Sequence, residues 1–420
     1  MSFADARRVE PASSAGAPSS VRSQSSAAPA AASASARASQ AVVPAPIPVD
    51  ATLGTFRLRV RIESNELDDP ACGAFGCALC PTLVHDVSPS SADDAWVVGS
   101  CGLRGQLAAA GFVDRSAPWQ TVRRRNGNVV GECESYVSHS AVLARSAAEA
   151  YVASDLRCGL DPSGIWPRPL ERFDGKTWKA VRVRSPFRDA HESSPDLLAA
   201  GGKGPVYVAA LGDDWHGPPE CGVYELGAKD ITASKLCRLP PPEIGGESER
   251  IASLVVDGSG TLWVSGAVSS REKEGGASKP FLWRRTQGTW HEEPFPDSGR
   301  LGTSADGSAW LFGKALWLHG ATQWERVPFD LPAGVELVDL ALNSAKDIWV
   351  ADNDRVLHFD GRRFSVVPHE EPSFPFERIY AKDAGVWVRS QFEVWALERP
   401  NGKSPPAVTL RPGLHANRTQ

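Results

Sequence analysis

One pattern recurs along the chain, and its clearest copy runs from Glu336 to Pro368. Four short apolar runs sit in it: Leu337–Leu342, Asp347–Ala351, Arg355–Phe359 and Arg363–Val367. Turn residues bound each run. Asp360-Gly361 separates the last two, and Asp-Gly between strand-like runs signals a hairpin, because a tight primed turn needs positive φ at its centre. The copy therefore reads as one four-stranded antiparallel sheet.

Seven such units follow one another between about Leu83 and Leu397. An aromatic recurs in the second run of each: Trp96, Tyr151, Tyr207, Trp263, Trp310, Trp349 and Trp387. In five units a second aromatic opens the fourth run: Trp119, Trp178, Trp290, Trp324 and Phe364. Four strands repeating about every forty to fifty residues predict an all-β fold, a seven-bladed β-propeller. Each blade then buries both faces against its neighbours. The recurrent aromatics are accordingly read as inter-blade packing residues rather than ligand platforms. The 38 glycines and 33 prolines suit many short strands joined by tight turns.

The seventh unit lacks a clear fourth strand. Phe56–Ile62 alternates cleanly, with arginines on one face, and can fill that slot so that no edge is left unpaired. Ala407–Arg411 competes for the same place. The expected organisation is an Ala/Ser/Pro-rich disordered tether over 1–52, a propeller over 53–411 with its closing strand at 55–62, and a tail over 412–420.

The units resemble the short repeats of bacterial propellers: the two-component-regulator sensor propellers, Asp-box propellers, and exported proteins with similar repeats. The matching residues are Asp257–Ser265, Ser304–Leu311, Asp347–Ala351 and His358–Phe364. The resemblance implies the fold and leaves function open. Asp-box sialidases would add an arginine triad, an Asp acid and a Tyr–Glu pair, and the sequence alone assigns no such set. Sensor propellers would be followed by a membrane helix and kinase modules, and neither is seen here.

Eight cysteines fall in the first two thirds of the chain: Cys72, Cys77, Cys80, Cys101, Cys133, Cys158, Cys221 and Cys237. That number favours disulfides in an oxidising compartment, hence an extracytoplasmic, secreted or lipoprotein-like bacterial protein. No signal peptide is visible at Met1–Glu10. A metal site is the alternative. Cys72, Cys77 and Cys80 have plant-type ferredoxin spacing, with Cys101 as a fourth ligand, or the four thiolates could hold zinc. The usual cluster-loop context is missing, so no metal or cofactor is assigned.

In a four-stranded blade, the connections from strand two to three and from strand four to the next blade open on one face. The long insertions are all of these two kinds and belong to blades 1–4. So do the segments that carry the cysteines. That loop-rich face is therefore the expected working face. Within it, Asp213, Asp214, Trp215 and His216 form a candidate sugar or cation site, with a polar turn as the plainer reading.

Other signals fail on inspection. Glu292-Glu293 and Glu370-Glu371 read as solvated charges, and Gly201–Gly204 lacks Walker spacing. Arg123–Arg125 is isolated in a chain of net charge -5, so no nucleic-acid partner is expected. No run is long enough for a transmembrane segment. The chain holds neither a Gly-x-Ser-x-Gly nor a His-Glu-x-x-His motif, and no catalytic residue is assigned.

Three functions remain, in this order. The first is a non-catalytic propeller binding a protein or glycan through the loop-rich face; it expects no titratable cluster in the channel. The second is a propeller lyase or glycoside hydrolase; it expects carboxylates, His or Arg converging at the channel mouth. The third is a scaffold of an envelope assembly.

Overall fold

The computed structural model describes residues 46–63, 83–100, 103–108, 110–115, 121–122, 133–134, 136–157, 170–183, 193–212, 223–226, 232–235, 247–270, 279–294, 299–383, 385–400, 402 and 407–410. Seven antiparallel sheets account for almost all of the secondary structure.

The innermost, first strands of the seven blades are Val84–Pro89, Tyr136–Ser146, Ser193–Ala200, Glu247–Val256, Arg300–Thr303, Asp339–Ser344 and Arg378–Lys382. The second strands are Ala95–Gly99, Glu149–Arg157, Val206–Gly212, Leu262–Ser270, Ala309–Phe312, Asp347–Ala351 and Gly385–Arg389. Blade 7 takes its third strand from Glu393–Glu398 and its fourth from Thr55–Ile62, which pairs antiparallel with it from Thr55–Glu398 to Arg61–Glu393. Val408–Leu410 does not compete for that slot. It lies beyond it, parallel to the N-terminal strand.

The recurrent aromatics pack as their spacing suggests. All seven second-strand aromatics are buried, none more than 7% exposed. They also explain the second aromatic. Trp96 of blade 1 meets Trp178, which opens the fourth strand of blade 2, edge to face at 5.5 Å. Trp263 of blade 4 meets Trp324 of blade 5 at 5.2 Å, again edge to face. Trp349 of blade 6 meets Phe56, on the closing strand of blade 7, at 6.2 Å. In these three cases the second-strand ring locks onto the fourth strand of the next blade, and such pairs contribute about 0.5–1.5 kcal/mol beyond the area they bury.

The closing strand departs from simple alternation. A bulge between Leu58 and Val60 turns Arg59 inward. It is 4% exposed, lies over the Trp387 ring at 5.6 Å and donates to the Ala108 carbonyl at 3.3 Å. Val60 and Ile62 pack with Val84, Val87 and Val97 of blade 1, which seals the ring.

The Asp360-Gly361 turn is tight, and Gly361 adopts φ 88° at its first central position. Asp360 accepts from the backbone N–H groups of Arg362 and Arg363. Asp174-Gly175 repeats the device in blade 2, with Gly175 at φ 91°. Only glycine adopts that conformation without strain.

Candidate functional site

First strands are edge strands that face the axis, so their backbone groups need partners or water. Side chains supply several. Asp86 Oδ2 accepts from Val142 N of blade 2 at 2.9 Å, and Ser88 Oγ from Ala144 N at 2.8 Å. Ser253 Oγ accepts from Leu301 N at 3.3 Å, and Asp339 Oδ2 from Ile379 N at 3.0 Å. Neighbouring blades are thereby stitched along the axis.

The channel these strands enclose has a volume of about 1010 Å³. Its two ends differ. First strands begin at the loop-bearing face, so Arg300, Asp339 and Arg378, each the first residue of its strand, lie at that end. Arg389, the last residue of a second strand, lies there too. Lys382 ends its strand at the opposite face and reaches the Ala144 carbonyl at 3.4 Å. Burial lowers the Lys382 pKa.

The groups at the loop-bearing end are interlocked. Arg300 pairs with Asp339. Arg389 pairs with Glu377 at 2.5 Å, donates to the Val84 carbonyl at 3.2 Å, and reaches the Tyr380 hydroxyl at 3.4 Å. Tyr380 donates to Asp86 Oδ1 at 2.9 Å. Burial raises the Asp86 carboxyl above its ordinary range, against the pull of its hydrogen bonds. Burial and the Asp86 charge push the Tyr380 hydroxyl up to about 12. Burial, then the like charges of Arg378 and Arg389, bring Arg300 down to about 10. Burial pulls Arg389 down, but Tyr380, Asp86 and Glu377 outweigh it and lift the guanidinium above its usual value. Arg378 lines the channel and has no hydrogen-bond or ion-pair partner among the described residues.

This cluster corrects one expectation. The non-catalytic reading expected no titratable cluster in the channel, and the structure places one there. The sequence missed it because its members come from blades 1, 5, 6 and 7 and meet only on ring closure. One signal was present: aligning the units puts Arg300, Asp339 and Arg378 at the same position of successive first strands.

The loop-bearing face also has relief. In blades 2–4 the first and second strands run on past the register shifts at His139/Ala141, Pro195/Leu197 and Ile251/Ser253. Their first strands have 11, 8 and 10 residues, against 4, 6 and 5 in blades 5–7. Part of what the sequence marks as insertion, Tyr136–Ser138 among it, is therefore ribbon.

Asp213, Asp214, Trp215 and His216 lie outside the described residues, as do Cys72, Cys77, Cys80, Cys101, Cys158, Cys221 and Cys237. Cys133 is described only as backbone, in a short strand paired with Thr121–Val122. The described strands that flank all eight cysteines open onto the loop-bearing face. Among the described residues no cluster of His, Cys, Asp and Glu has the makings of a metal site. No described helix is long and apolar enough to cross a membrane.

The fold and the channel place the chain in a class, the seven-bladed β-propellers. No known protein family and no curated protein matches its sequence. Solved structures match its fold. YCF48 bound to D1 peptide superposes with a TM-score of 0.50 at 14% identity, covering 86% of this chain and 100% of that one. YCF48 from Cyanidioschyzon merolae gives 0.48 at 15% identity, over 75% and 95% of the two chains. The extracellular domain of a hybrid two-component system from B. thetaiotaomicron gives 0.46 at 12% identity, over 82% of this chain and 40% of that one. At such identities the likeness is one of fold.

Proposed function

We propose that the protein is a non-catalytic, extracytoplasmic propeller that binds a protein or glycan at its loop-bearing face. One observation carries this reading. The long ribbons of blades 2–4 and the charged end of the channel are on the same face, which gives a walled recess beside a low rim on blades 5–7. Recesses of this kind at the mouths of β architectures are where ligands commonly bind. A propeller seen with a peptide, YCF48, is in keeping with it. The eight cysteines on segments that open onto the same face support both the compartment and a stapled surface.

A photo-crosslinking amino acid at Phe392, in a loop-face turn, and at Lys203, in a turn of the other face, tests the reading. Adducts from position 392 alone support it. Adducts only from position 203 would overturn it.

A second reading, an enzyme of the lyase or glycoside hydrolase kind, has the Arg389–Tyr380–Asp86 chain in its favour, since perturbed groups gather at catalytic sites. Against it, Asp86 already accepts from Val87 N, Val142 N and the Tyr380 hydroxyl. Turnover of a polyuronide or glycoside that Tyr380→Phe abolishes would favour the enzyme.

A further inference from the structure

We propose that Arg300, Arg378 and Arg389 hold a carboxylate of an extended acidic peptide that enters the channel from its loop-bearing end. The proposal rests on the binding reading above and names the chemistry of the ligand.

The three guanidinium groups come from two blades and converge on one end of one cavity. Arg300 and Arg389 are braced by Asp339, Glu377 and the Val84 carbonyl, which fixes their planes before any ligand arrives. Arg378 is the unspent donor: it lines the channel with no partner among the described residues. With Arg300 and Arg389 paired to carboxylates, Arg378 leaves one positive charge that an anion relieves. Burial first, then Arg378 and Arg389, depress Arg300, so the three groups lie within electrostatic reach of one another. A planar fork of donors matches a carboxylate in a way that a lysine does not.

The walls argue for a peptide over a sugar. They are built from small residues such as Ala141, Ala144, Ala200 and Gly201, and from backbone edges. Trp310 is the one tryptophan on the lining, and it is buried. Walls of small side chains and strand backbone suit an extended chain, whereas sugars favour open aromatic faces. The volume lies at the upper end of the usual range for ligand cavities, about 300–1,000 Å³, more than one small anion fills.

Fluorescence anisotropy with a labelled peptide of alternating Glu and Ser, bearing a free C-terminus, tests this on the full chain. Saturable binding is expected that weakens with added salt. It should fall about tenfold or more in R378Q. The amidated peptide with Gln in place of Glu should not bind. R378Q should fold normally, because Arg378 has no partner to lose; an unchanged melting temperature verifies that. R300K, which keeps the charge and loses the fork, should weaken binding by a similar factor.

Equal binding of the neutral peptide, or of the acidic peptide to R378Q, overturns the proposal. So does no binding at about 1 mM peptide. Oligogalacturonate binding as tightly as the peptide, with the same loss in R378Q, would replace the peptide by an anionic glycan. Inorganic phosphate displacing the peptide at equal concentration would show a simple ion site. A partner that cross-links at position 392 yet binds R378Q undiminished would leave the loop-face reading standing and remove this one.

Discussion

His139 is fully buried between blades 1 and 2, with Nδ1 at 2.7 Å from Ser154 Oγ and Nε2 without a partner. Burial, then the charges of Arg104 and His85, lower its pKa to about 3. The folded protein therefore keeps a neutral ring that the unfolded chain would protonate below about pH 6.5. Stability from this group is present above pH 6.5 and is lost as pH falls toward about 3. Between pH 7 and pH 5 the loss should be about 2 kcal/mol. His139→Gln should be less stable at pH 7 but should lack that part of the pH dependence. Urea unfolding at the two pH values measures it, and an unchanged slope would contradict it. Residue-scale signals of this sort were unevenly legible. The aromatics could be read because they recur with the unit, and packing demands them in every blade. Asp86, Tyr380 and Arg389 could not, because each answers to a neighbour about three hundred residues away, across the closure of the ring.

Among the elements, the strand Thr55–Ile62 has the largest consequence. It covers Trp395 and Val394 of the third strand in blade 7 and joins two core clusters through Phe56 and Val60. A chain beginning after residue 62 should fail to give a soluble monomer, whereas one beginning at Ala45 should melt as the full chain does. The short piece Pro48–Asp50 also pairs with Val366 at the outer edge of blade 6, so a start at residue 52 should cost less than a start at residue 63. Circular dichroism and size-exclusion profiles of the three truncations decide this. The alternation of Phe, Leu, Val and Ile made the strand legible. The bulge at Arg59 was not, because it answers to Trp387 and Ala108 in partner elements. The ribbons of blades 2–4 were hidden as well, since they lie in segments that the sequence marks only as insertions between the repeated runs.

At the scale of the whole molecule, the strands of blades 2–4 are long at one face of the ring, and the described strands that flank every cysteine end on that face. Titration of thiols in the denatured, unreduced protein should find fewer than eight free groups. Finding all eight would remove the extracytoplasmic reading. It would leave the propeller intact, because the described cores are aliphatic and aromatic.

Closure of the last sheet by the first strand sets a clock on the molecule's assembly. Arg61 finds Glu393 332 residues further along. At about 5–20 residues per second, a ribosome takes roughly a quarter of a minute to a minute to cover that distance. Throughout that interval the leading strand is made but has no mate, and it stays available to whatever escorts nascent chains. The ring latches only when the third strand of blade 7 has been made.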